Sequence, residues 1–76
     1  MRKHELKRKL MGNGVPEDMY SLEGGLPNEA YVLNKKDSLW EVYYSERGIK
    51  SGLRHFESEE QACDYIYELI IDDLPN

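Results

Sequence analysis

Between Ala30 and Phe56 three runs of strand-favouring residues are separated by short polar breaks, which commits the middle of the chain to adjacent antiparallel strands. The runs are Ala30–Leu33, Leu39–Ser45 and Ile49–Phe56, rich in the aromatic and β-branched types that suit a pleated surface. Asn34-Lys35-Lys36-Asp37-Ser38 and Glu46-Arg47-Gly48 supply the turns. Gly52 interrupts the third run, where a bulge or a close backbone approach is expected. A short extended segment over residues 19–24 precedes them, and Gly24-Gly25-Leu26-Pro27-Asn28 reads as a loop.

Both ends of the chain carry helical spacing instead. Residues 2–11 place Leu6, Leu10 and Met11 as a narrow apolar stripe, and Gly12-Asn13-Gly14 with Pro16 ends it. Ser58 with Gln61 three residues later gives a capping-box start, and Glu59 and Glu60 suit the first turn. Ala62, Cys63, Ile66, Leu69 and Ile70 then form an apolar stripe, flanked by Tyr65 or Tyr67, and Pro75 sets an outer limit. The expected fold class is α+β: a three- or four-stranded antiparallel meander, with an N-terminal and a C-terminal helix on one face (α-β-β-β(-β)-α). At 76 residues this is a single small domain spanning 1–76.

Alternation along Leu39–Ser45 sends Trp40, Val42 and Tyr44 one way and Leu39, Glu41, Tyr43 and Ser45 the other. The first set is the more apolar and is expected under the helices. Tyr31, Leu33, Tyr43 and Leu53 are then expected on an open face, an assignment that one residue of register reverses. Aromatic residues are 11% of the chain. A sheet covered on one side only cannot bury them all, so exposed rings are expected to serve as binding anchors.

Composition narrows the function classes. With 39% apolar and 33% charged residues the chain is neither disordered nor membranous. Residues 1–10 carry +4 and residues 57–76 carry −7, within a net charge of −5. Opposite ends of this kind attract within one fold or present two solvated helix faces. The overall sign argues against nucleic acid as a partner, because phosphate binding rests on positive charge. No apolar run long enough for a bilayer is present, and Met1-Arg2-Lys3-His4-Glu5 has no apolar secretory core, so a cytoplasmic location and no membrane partner are expected.

Catalytic chemistry finds little support. His4, His55 and Cys63 sit on three different elements without ligand spacing, so neither a metal nor a cofactor is expected. Cys63 lies on an apolar stripe, where it acts as a small hydrophobe, and no nucleophile elbow is present. The catalytic alternative is acid–base work on RNA by Glu46, Arg47 and His55, with Glu41 and Arg54 nearby. Its bland counterpart is cross-strand charge pairing.

Beyond this the residues alone stop at a small acidic α+β domain. Tyr20-Ser21-Leu22-Glu23-Gly24-Gly25-Leu26-Pro27-Asn28-Glu29-Ala30-Tyr31, Trp40-Glu41-Val42-Tyr43-Tyr44-Ser45-Glu46-Arg47-Gly48, Phe56 and Ser58-Glu59-Glu60-Gln61-Ala62-Cys63 resemble a family of small bacterial proteins, mostly from Firmicutes. These are similar to the immunity proteins encoded beside polymorphic secreted toxins. The resemblance implies a non-enzymatic protein that binds and neutralises a cognate toxin. A basic toxin domain suits an acidic inhibitor. The expected contact residues are Tyr31 and Tyr43 as anchors, Glu23, Glu29, Glu41 and Glu46 as steering charges, and Arg47 in the turn. Self-association as a homodimer, through an uncovered strand edge or the acidic helix, is a third reading.

Overall fold

A computed structural model describes residues 1–74, and the expected stop at Pro75 lies outside the described residues. Helix α1 spans Lys3–Gly12, and a 3-10 turn at Glu17–Met19 leads into the two-residue strand β1, Tyr20–Ser21. Strands β2 (Ala30–Lys36), β3 (Leu39–Glu46) and β4 (Ile49–Phe56) follow, then helix α2 (Glu59–Asp73). The fold is α+β, with sheet order β1-β2-β3-β4. The meander proper is β2-β3-β4; β1 runs parallel to β2, so the four-stranded sheet is mixed rather than antiparallel throughout.

The local signals explain the elements. Arg47 and Gly48, at φ 53° and 76°, close the β3–β4 hairpin with two positive-φ residues, the backbone twist that a two-residue hairpin favours. Gly52, at φ 63°, sits where two steps along β3 from Val42 to Tyr44 face three along β4 from Arg54 to Ser51. That is the expected bulge, with glycine at its left-handed position. The other turn is shorter than its polar composition suggests. Asn34, Lys35 and Lys36 stay in β2, opposite Glu41, Trp40 and Leu39, and only Asp37 and Ser38 turn. Asp37 tolerates the positive φ of 57° that a tight turn requires.

Helix α2 starts as its capping signal indicates, with Ser58 Oγ accepting from the Gln61 amide at 3.1 Å. Helix α1 has no cap from its own Arg2. Instead Glu59 of α2 accepts from the Lys3 amide at 2.7 Å and lies 3.5 Å from the Arg2 guanidinium. Part of the opposite charge at the two ends thus joins the helices, and Asp64 of α2 likewise lies 2.9 Å from the Met1 amino group. At the other end of α1, Asn13 Nδ2 donates to the Lys9 carbonyl at 2.8 Å and lies 3.2 Å from Tyr67 Oη.

Both helices lie on one side of the sheet. Leu6 and Leu10 of α1, Ala62, Cys63, Ile66 and Ile70 of α2, Leu33 and Val42 form the main core. Met11 falls off the α1 stripe and is exposed, and Leu69 is only half-buried. No described helix is long and apolar enough to cross a membrane.

Trp40 and Val42 pack on the helix side, as expected. Tyr31 and Leu33 do not lie on the opposite face: they pair with Tyr44 and Val42, and directly opposed residues share a face, so both turn towards the helices. The far face is not open either. Ala30, Val32, Glu41, Tyr43 and Ser45 are all buried there. The loop from Leu22 to Glu29 crosses it, pinned where Tyr43 Oη donates to the Gly25 carbonyl at 2.7 Å and where Asn28 Oδ1 accepts from the Arg47 amide at 3.2 Å. Gly24 (φ 75°) is required at the start of this crossing, because a Cβ there would run into the Asn34 side chain.

Candidate functional site

Two groups of polar and aromatic side chains stand out, at opposite halves of β3. The first lies on the far face. Glu41, 2% exposed, accepts from Asn34 Nδ2 at 3.0 Å through one carboxylate oxygen and lies 3.0 Å from His55 Nε2 through the other. Lys50 Nζ is 4.0 Å from Glu41 and 4.6 Å from the centre of the Tyr43 ring. Burial by itself pushes the Glu41 carboxyl up. The hydrogen bonds from Asn34 and His55, with the charges of Lys50 and Lys36, outweigh it and leave the group below its ordinary value. Glu41 is therefore a buried, ionised, fully engaged carboxylate. It orients a half-exposed imidazole, the arrangement that positions a general base.

The companions that acid–base chemistry on RNA calls for are not at hand. Glu46 pairs with Ile49 and Glu41 with His55, so Glu46 and Arg47 lie at the far end of β4 from His55. Six residue steps of strand separate them by about 20 Å. Arg54 projects to the helix side, its guanidinium 5.3 Å from the Tyr65 ring. Clefts of about 360 Å³, beside Lys3, Lys7 and Tyr20, and about 330 Å³, beside Glu46, Arg47 and Ile49, do not include His55. No three His, Cys, Asp or Glu among the described residues are grouped to hold a metal ion.

The second group lies at the other half of the sheet, on the helix side. Tyr31 and Tyr44 sit on neighbouring strands and meet edge to face, with ring centres 5.0 Å apart and planes at 65°. Both rings are half-buried, unlike Tyr43. Desolvation pushes both phenols above their ordinary values. Glu46, Glu29 and Asp73 add to the effect at Tyr44, and Asp73 adds to it at Tyr31. Asp73 ends α2, whose last turn carries no basic residue, so the negative end of the helix dipole adds to the same region. The result is a two-ring platform among three carboxylates drawn from a loop, a hairpin and a helix end.

The sequence-predicted contact residues divide between these groups. Tyr31, Glu29, Glu46 and Arg47 gather at the platform end. Tyr43 is 2% exposed beneath the Gly25 loop and is no free anchor, and Glu41 is buried as the hub of the far-face cluster, without steering charge to offer. Glu23 lies outside the platform, with its carboxylate 2.7 Å from Lys3 Nζ. Sequence reading missed Tyr44 and Asp73 as site residues. The register that pairs Tyr44 with Tyr31 was the missing signal, since Tyr44 was expected wholly beneath the helices.

No family profile matches the chain, and neither a curated protein nor a solved structure does.

Proposed function

We propose that this chain is a non-enzymatic protein-binding module of the immunity type, which binds and neutralises a cognate secreted toxin in the cytoplasm of the producing cell. The observation that carries the reading is the Tyr31–Tyr44 pair, two half-buried rings 5.0 Å apart within the field of Glu29, Glu46 and Asp73. Tyrosine offers large contact area and a hydroxyl at little entropic cost, which suits an anchor. Carboxylates around it favour a basic partner and quicken the encounter. The net charge of −5 acts in the same sense.

The test is capture of partners from the native host on immobilised chain, at low and at moderate salt. One column carries the natural sequence and a second carries Tyr44→Ala with Glu29→Lys. Retention of a defined basic protein by the first column and its loss from the second supports the reading. Recovery of only nucleotides, or of nothing at low salt, overturns it. The enzymatic alternative draws on the 3.0 Å contact of Glu41 with His55. RNA cleavage by the chain, abolished by His55→Ala, would establish it in place of the inhibitor.

A further inference from the structure

Strand β4 is an edge of the sheet, and among the described residues it pairs only with β3. An antiparallel strand directs its backbone groups alternately to its two sides, so an edge of eight residues leaves a row of N–H and C=O groups facing outwards. Every residue from Ile49 to His55 is exposed, with Ile49 at 67% and Leu53 at 43%. The opposite edge, β1, is two residues long.

The edge carries the sign opposite to the chain's net charge, as α1 also does. Residues 47–56 include Arg47, Lys50, Arg54 and His55 but no Asp or Glu, in a chain of net charge −5. The cations flank the edge on both faces of the sheet. Lys50 lies on the far side above Tyr43, and Arg54 on the helix side against Tyr65. We infer that the β4 edge docks an extended acidic segment of another protein, which adds a fifth strand through its backbone and sets carboxylates towards Lys50 on one face and Arg54 on the other. Ile49 and Leu53 supply apolar contact beside the ladder. A second copy of this chain is the poorer occupant. It would lay two basic strands side by side, with no acid on either to offset them, and the bulge at Gly52 interrupts the ladder in each.

This inference is independent of the reading above, because the Tyr31–Tyr44 platform attracts the opposite sign of charge. The probe is an acetylated ten-residue peptide in which Glu-Glu pairs alternate with Val-Thr pairs, so that both faces of the extended chain carry carboxylates, titrated into the full chain to millimolar concentration while backbone amides are followed by NMR. A matching peptide with Lys in place of Glu is the control. The acidic peptide is expected to shift and protect the amides of Ile49–Phe56 and to bind at least about fivefold more tightly than the control, the scale of two exposed ion pairs. Arg54→Glu, which leaves the Glu41 cluster untouched, is expected to abolish the difference. Equal binding of both peptides, no response in β4, or a response centred on the lysines of α1 would overturn the inference. So would protection of β4 amides in the chain alone that grows with its concentration, which would assign the edge to a second copy.

Discussion

The two faces of this sheet are both closed, but by different physics. On the helix side Leu6, Leu10, Leu33, Val42, Ile66 and Ile70 interdigitate without a polar atom among their side chains. Volume and shape hold that face together. On the far side a glycine-containing loop lies over Val32, Tyr43, Ser45 and Glu41, held by hydrogen bonds from Tyr43 to Gly25, from Ser21 Oγ to the Gly24 carbonyl at 2.8 Å, and from the Gly24 amide to Leu33 at 3.0 Å. A layer of this kind depends on its polar groups being engaged. The helix side should therefore answer to lost volume and the far side to lost hydrogen bonds and to pH.

The largest effect is expected on the helix side. Leu33→Ala or Ile66→Ala should each cost about 2–5 kcal/mol, because each removes a fully buried side chain and leaves a cavity; urea denaturation gives the number. On the far side, Glu41→Gln should cost about 1–3 kcal/mol by weakening the bonds to Asn34 and His55. The same substitution reads out the pH dependence. Glu41 titrates below its unfolded value of 4.5, so its contribution is complete above that value and is lost as the pH falls through it towards the folded value. The natural chain should lose stability over that acid range more steeply than Glu41→Gln does, and equal slopes would show that the cluster is not ionised.

The elements of the fold were legible in the sequence, but the closure of the far face was not. The capped start at Ser58, the Arg47-Gly48 hairpin, the Gly52 bulge and the strand boundaries of β4 follow from local chemistry that tertiary contacts did not override. The facing of β2 did not follow, because Ala30–Leu33 is apolar in both alternating positions and carries no preference of its own. Only pairing with β3 fixes it, and that register depends on Asn34, Lys35 and Lys36 remaining in the strand. Their polar character suggested a turn. In the fold, Asn34 serves Glu41 and Lys35 lies 5.6 Å from the Trp40 ring. The exposed aromatic rings expected on an open face do not occur. Tyr31, Tyr44, Tyr65, Tyr67, Trp40 and Phe56 are all half-buried, and Tyr43 vanished beneath a loop whose glycines and proline signal only irregular backbone.

Smaller effects sharpen the comparison. Tyr43→Phe removes one hydroxyl that pins the loop and should cost about 1 kcal/mol, with amide exchange quickened between Leu22 and Glu29 while α1 and α2 are unchanged. Glu29→Ala with Glu46→Ala should leave stability within about 0.5 kcal/mol, since both groups are exposed; a larger loss would make them structural rather than free for a partner. Cys63, buried among the helices with its thiol pushed up to about 11 by desolvation, should resist alkylation at pH 8 until the chain is unfolded.

The closure of the far face is tested most directly by hydroxyl-radical footprinting of the native chain, resolved tyrosine by tyrosine by mass spectrometry. Tyr43 should be protected like the core residue Tyr20, while Tyr44 and Tyr31 are labelled, because loop 22–29 covers Tyr43 and the platform rings at the sheet's end are only half-buried. Labelling of Tyr43 at least as fast as Tyr44 would contradict this account, since it would place an uncovered aromatic surface on the side of the sheet away from the helices.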